Sequence, residues 1–171
     1  FSHVVSNGTE LAVSEDDNGI ARVVFRKDNE IIFDLDRILP DGFKLATPSY
    51  LQTKDSVLDE EKEKSGFWRA CFDSKVISMG DWRKPQEIFI LLHEIGHTHQ
   101  GALHEKLFEG KPTTRSVYDE QKFTAEVDSS LERDAWAYAV KAARHFRELL
   151  GIDFFELFNS KEELFAVIYG A

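Results

Sequence analysis

Between Glu87 and His104 the chain reads Glu-Ile-Phe-Ile-Leu-Leu-His-Glu-Ile-Gly-His-Thr-His-Gln-Gly-Ala-Leu-His, and no other stretch restricts its fold as tightly. Five apolar residues, Ile88 to Leu92, lead into His93-Glu94-Ile95-Gly96-His97 with no proline inside the run. Such a segment predicts a helix sunk into a core. On that helix His93 and His97, four apart, share one face and lie a single turn from each other. Buried imidazoles need polar partners. An ion held by both is one solution, and Glu94, roughly 100° round the helix, then reaches a water on that ion.

A catalytic zinc takes three protein ligands and keeps a fourth position open. Four residues are candidates for the third ligand. His104 follows His97 by seven residues and Gly101 by four, each one residue later than the spacing of His-Glu-x-x-His-x-x-Gly-x-x-His. On a continuing helix His104 would sit about 11 Å past His97, too far to share an ion. His99 projects away from the His93 and His97 face. Cys71 stands in Arg69-Ala70-Cys71-Phe72, which does not match the cysteine motif of peptide deformylases. Glu132 sits in Leu131-Glu132-Arg133-Asp134-Ala135-Trp136-Ala137-Tyr138-Ala139, with Ala135 and Ala139 as small residues beside it. Small residues let two helices approach closely, and an oxygen donor would complete a set of two histidines and one glutamate.

The rest of the chain supplies a scaffold. Residues 1–19 are polar and turn-rich, with a short strand expected at Glu10–Val13. Ile20–Arg26 and Glu30–Leu35 read as a hairpin turning at Lys27-Asp28-Asn29, and Pro40-Asp41-Gly42 as a turn. Tyr50 to Ser65 is heavily charged and reads as a solvated helix or loop. A second hairpin is expected from Phe67–Phe72 and Lys75–Met79, turning at Asp73-Ser74. Pro85 opens the histidine helix, which should end near Gly101, and Glu109 to Thr114 forms a loop. From Asp119 to Leu150 apolar residues recur at helical spacing, with Gly151 as the stop. Asp153–Phe158 and Lys161–Tyr169 read as short helices, the second opened by a capping box at Ser160 and Glu163.

These elements predict one α+β domain over residues 1–171: a small, twisted, mainly antiparallel sheet, the histidine helix beneath it, and the long helix crossing below. The net charge of −10 excludes a general nucleic-acid binder. No apolar run is long enough to span a membrane, and no basic-then-apolar signal segment is present. Cys71, the one cysteine, rules out an intrachain disulfide and fits a cytoplasmic setting. The chain opens on Phe1 rather than Met, as a piece trimmed or excised from a longer protein would.

Three segments together carry a family resemblance: Lys75-Val76-Ile77-Ser78-Met79, then Phe89 to His97, then Glu132-x-x-Ala135-x-x-Tyr138-Ala139. The chain resembles the ImmA/IrrE-type zinc metallopeptidases, small intracellular gluzincin-like enzymes of bacteria and phages, over roughly Phe67 to Ala139. The resemblance implies a zincin-like fold, Zn2+ as cofactor, His93, His97 and Glu132 as metal ligands, and Glu94 as general base. It also implies an endopeptidase acting on a protein or peptide target. Two features depart from the family pattern. Trp136 stands where the family has Asn or Asp, and Val140-Lys141-Ala142-Ala143 replaces a Leu-Leu-Met-Pro run. Asp128, four residues before Glu132, is a candidate for fixing a histidine tautomer.

Tyr118, Tyr138, His104 and His145 are the candidates for stabilising an oxyanion. An extended substrate is expected to add as a strand beside Lys75–Met79. Two other readings stay open: a zinc-stabilised binding module that does not cleave, and a zinc amidohydrolase acting on a small molecule. Phe154, Phe155, Phe158 and Phe165 belong either to the core or to an apolar patch for a partner.

Overall fold

The computed structural model describes residues 1–53, 62, 67–72, 74–100 and 125–170, with the side chains of 125–130 and 168–170 left aside. Expectations resting on Asp73, Gly101, His104, Tyr118, the Glu109–Thr114 loop and most of Tyr50–Ser65 lie outside the described residues. So do the start of the long helix at Asp119 and the side chain of Asp128.

The fold is α+β. A mostly antiparallel mixed sheet of seven strands forms among the described residues: β1 (Ser2–Ser6), β2 (Thr9–Glu15), β3 (Ile20–Lys27), β4 (Glu30–Asp34), β5 (Lys44–Ala46), β6 (Arg69–Cys71) and β7 (Val76–Ser78). Their order is β1-β2-β3-β5-β7-β6. β3 is the longest, and its far edge is divided: β5 pairs with its start at Ile20 and Ala21, β4 with its end from Val24 to Lys27. Only β5 and β7 run parallel.

Turn chemistry explains the hairpins. Asp28 and Asn29 have φ of 53° and 65°, the two positive values that a two-residue hairpin turn requires, and Lys27 faces Glu30 across it. Asn7-Gly8, with φ of 45° and 74°, makes a similar turn that joins β1 to β2, with Ser6 facing Thr9. β1 falls within the stretch expected to be polar and turn-rich, since Ser2-His3-Val4-Val5-Ser6 lacks alternation. The pairing of Arg69–Cys71 with Val76–Ser78 is antiparallel, as expected, but β7 is an interior strand with β5 on its other side. An extended chain therefore cannot add beside Lys75–Met79. Among the described residues β6 is the outermost strand on that side of the sheet.

Helix α1 (Pro48–Thr53) follows β5. A 3-10 turn at Pro85–Glu87 feeds α2 (Ile88–Thr98), and the Glu87 carboxylate accepts hydrogen bonds from the Arg83 and Lys84 amides at 2.7 and 3.3 Å. α2 ends at Thr98, short of the expected Gly101, with His99 as its C-cap. α3 (Ala125–Leu150) stops where predicted. Gly151 takes φ of 69° and its amide bonds the Arg147 carbonyl, an αL closure, while Ile152 N–H reaches back to Phe146 O. The tail segment expected as a helix at Asp153–Phe158 is a 3-10 turn at Phe154–Leu157, capped by the Asp153 carboxylate. α4 spans Lys161–Gly170.

The main core lies between the sheet and the helices, where Phe25 of β3, Phe146 of α3 and Phe154 of the tail meet with ring centroids 5.3–5.6 Å apart. Phe89 of α2 joins them, and Phe155 and Phe158 pack on Phe89 at 5.5 and 5.4 Å. Three of the four tail phenylalanines are thus committed to the interior side, and Phe165 is half exposed. Burying each fully enclosed ring contributes roughly 1.5–3 kcal/mol. No described helix is long and apolar enough to cross a membrane.

Candidate metal centre

α2 is buried on nearly every side, so its two histidines leave water only because a partner element covers them. That element is α3, and Gly96 sets how near it comes. A Cβ at Gly96 would stand 2.9 Å from the Ala135 carbonyl oxygen and 3.1 Å from the Ala135 Cα. Ala135 and Ala139 on the facing side are fully buried. The contact of small residues lays the backbones against each other and brings Glu132, one turn before Ala135, over the histidine pair.

There the three polar side chains converge. His93 Nε2 lies 2.9 Å from Glu132 Oε2, His97 Nε2 lies 3.2 Å from Glu132 Oε1, and the two Nε2 atoms are 3.1 Å apart. A tetrahedral zinc with bonds of about 2.0–2.1 Å sets its ligand atoms about 3.3 Å apart. The donor atoms already stand close to that spacing, and among the described residues they form a group able to hold a metal ion. The set, two imidazoles and one carboxylate, suits zinc and leaves one position open.

The electrostatics of the group favour positive charge. Burial by itself would raise the Glu132 carboxyl and lower the His97 imidazole. The hydrogen bonds and charges of the two histidines outweigh it at Glu132 and hold that carboxyl well below the usual carboxylate range. Glu132 and Glu94 outweigh it at His97 and push that imidazole up. The carboxylates thus create a negative potential that a proton fills in the metal-free protein and a dication would fill better.

Neighbouring groups fix the ligands. Gln100 donates its amide N–H to the Leu131 carbonyl at 2.8 Å, which turns its oxygen towards His97 Nδ1 at 2.9 Å. His97 Nδ1 must then carry the hydrogen, and Nε2 keeps its lone pair for the centre. Trp136 stacks on His93, with centroids 4.1 Å apart and planes 29° from parallel. In the sequence Trp136 departs from the family pattern at a position, four after Glu132, that can orient a ligand, whereas nothing there singles out Gln100. Its place three residues after His97 is the one signal that could have marked it.

Glu94 is buried beside the triad. Its Oε2 accepts the Ala70 amide hydrogen at 2.9 Å, and its Oε1 lies 3.9 Å from His93 Nε2. Because that amide points at Glu94 and not at β7, the polar groups of Ala70 lie on the outer edge of β6.

The other candidates fall elsewhere. Cys71 packs with Ala46, Leu51 and Val76 in a second, smaller core. His99 bonds the Ile38 carbonyl through Nε2 at 2.8 Å and stacks on Tyr138 at 5.0 Å. Tyr138 faces that contact. Burial pushes its phenol up. His145, thirteen residues after Glu132 on one helix, lies about 20 Å further along the axis. Comparison with protein-family models, with curated proteins and with solved structures finds no match for this chain.

Proposed function

We propose that the chain is a zinc-dependent metallopeptidase of the His-Glu-x-x-His…Glu, zincin-like type, an endopeptidase that hydrolyses peptide bonds of a protein target. The observation that carries the reading is the convergence of His93, His97 and Glu132 with the Glu94 carboxylate beside them. A structural zinc site is closed by four protein ligands and needs no base. Three donors with an adjacent buried carboxylate fit catalysis better.

His93 Nε2, His97 Nε2 and the Glu132 carboxylate would hold the ion, with Gln100 and Trp136 setting the two rings. Bound zinc supplies the Lewis acidity that ionises water near neutral pH and polarises a scissile carbonyl. Glu94 takes the proton from the attacking water and delivers it to the departing amine, a general base turned general acid. The Ala70 amide holds that carboxylate in place. An extended peptide would lie along the outer side of β6, which among the described residues is the sheet edge beside Glu94, with main-chain hydrogen bonds aligning it.

The test is cleavage of an unstructured protein such as casein by the zinc-loaded chain, comparing wild type with Glu94→Gln. The variant should bind zinc as wild type does and lose catalysis by about 10²-fold or more. Equal cleavage by both would overturn the reading, as would a wild type that binds zinc but cleaves nothing.

A further inference from the structure

Two consecutive aromatic residues, Phe67 and Trp68, lead into β6, and neither has a part in the proposed peptidase chemistry. The Trp68 ring is held in place. Its pyrrole edge lies over Gly80, where a Cβ would stand 2.5 Å from Trp68 Cδ1 and Nε1. Trp82 meets the same ring with centroids 5.1 Å apart and planes 80° from parallel, and Phe1 stacks on Trp82 at 5.5 Å. This packing ties Trp68 to the main core yet leaves it partly exposed, and Phe67 is 65% exposed. A phenyl ring left so open contributes little to the fold, and a side chain laid across it would bury apolar surface.

The position of the pair gives it a use. Side chains two apart on a strand share a face. Ala70 pairs with Ile77, and Cys71 with Val76. Ile77 and Trp68 belong with the main core, whereas Cys71 and Val76 belong to the second, smaller one. Trp68 therefore shares the face of Ala70 on which α2 packs. It stands about 6.6 Å along the strand from the residue whose amide holds Glu94. A peptide laid along the outer side of β6 brings directly opposite side chains to about 4.5–5.5 Å. With the bond to be cut beside Glu94, the substrate residue two beyond the one facing Ala70 meets Trp68, and the next comes level with Phe67.

We infer that Phe67 and Trp68 select the substrate, favouring a segment with two adjacent aromatic or large aliphatic residues on one side of the cleaved bond. The inference rests on the metallopeptidase reading and narrows its target to extended segments of that composition.

The experiment gives the zinc-loaded full chain a mixture of unstructured peptides with randomised positions and reads the cleavage sites by mass spectrometry. Aromatic and large aliphatic residues should be enriched at two adjacent positions on one side of the bond. A matched pair of peptides with Phe or Ala opposite Trp68 should differ in kcat/KM by about fivefold, the reach of one aromatic cross-strand contact. The pair should differ likewise in affinity for zinc-loaded Glu94→Gln, measured calorimetrically. Trp68→Ala should bring both ratios below about twofold. Gly80→Ala, which displaces the ring without removing it, should lower them too, and thermal midpoints with zinc affinities report that each variant has folded. Phe67→Ala, altered at an exposed position, should erase the enrichment at the neighbouring position. Glu94-dependent cleavage with no such enrichment, or with a preference that survives Trp68→Ala and Gly80→Ala, would overturn this inference alone. A chain that binds zinc and cuts nothing, and whose Glu94→Gln variant holds the two peptides equally, would overturn it together with the reading beneath it.

Discussion

Replacing Gly96 by alanine adds a single methyl group at the narrowest point between α2 and α3. The new Cβ would stand 2.9 Å from the Ala135 carbonyl oxygen and 3.1 Å from Tyr138 Cβ, where ordinary contact begins at 3.4 Å. The nearest obstacle is main chain, so no rotamer change relieves it, and α3 must draw back by 3.4 − 2.9 = 0.5 Å. Overpacking of this kind costs about 1–3 kcal/mol, of which the better helix propensity of alanine returns up to about 1. The thermal midpoint of the metal-free protein should fall by only a few degrees. Zinc affinity should suffer more, because ligand distances tolerate only about 0.2 Å and Glu132 rides on the displaced helix. A loss of about tenfold or more is expected in competition with a chromophoric chelator. Zinc affinity within twofold of wild type, with the variant folded, would refute the argument that Gly96 sets the reach of Glu132.

Gln100→Ala removes the acceptor that holds the His97 hydrogen on Nδ1 and should weaken zinc about 10–100-fold without unfolding the chain, as calorimetry with zinc would show. Trp136→Ala frees the His93 ring and should raise the rate of zinc release measured by stopped-flow with a chelator; unchanged release would mean the stacking is incidental. In the metal-free protein the raised His97 contributes stability in full below its unfolded value of 6.5, and this is lost as pH rises through the folded value. The lowered Glu132 contributes in full above its unfolded value of 4.5, and this is lost as pH falls through its folded value. Their joint contribution therefore peaks between pH 4.5 and 6.5. Melting after chelator treatment should show the midpoint declining from pH 6.5 to 8 relative to the zinc-loaded protein, and a flat difference would count against the pairing.

Much of this architecture is written in local chemistry. The apolar run before His93 and the four-residue spacing to His97 mark a buried helix, and the small residues flanking Glu132 mark where a second helix can press against it. Asp28 and Asn29 announce their hairpin by residue type. What escapes the sequence depends on distant partners. β5 is three residues long, too short to show a pattern, and missing it made β7 look like an edge strand and misplaced the expected docking edge. The Ala70 amide has no side-chain signature at all, because every residue but proline carries one. Gln100 becomes visible only once Leu131 arrives to fix which way its amide faces.

The atoms around the histidine pair come from residues 70, 93 to 100 and 131 to 136, and no two of these segments are neighbours along the chain. A motif of five residues therefore does not travel with its chemistry. A peptide cut out around His93, or a hybrid that keeps α2 but exchanges α3, would still spell the same letters and yet offer an ion two corners of a cage instead of three.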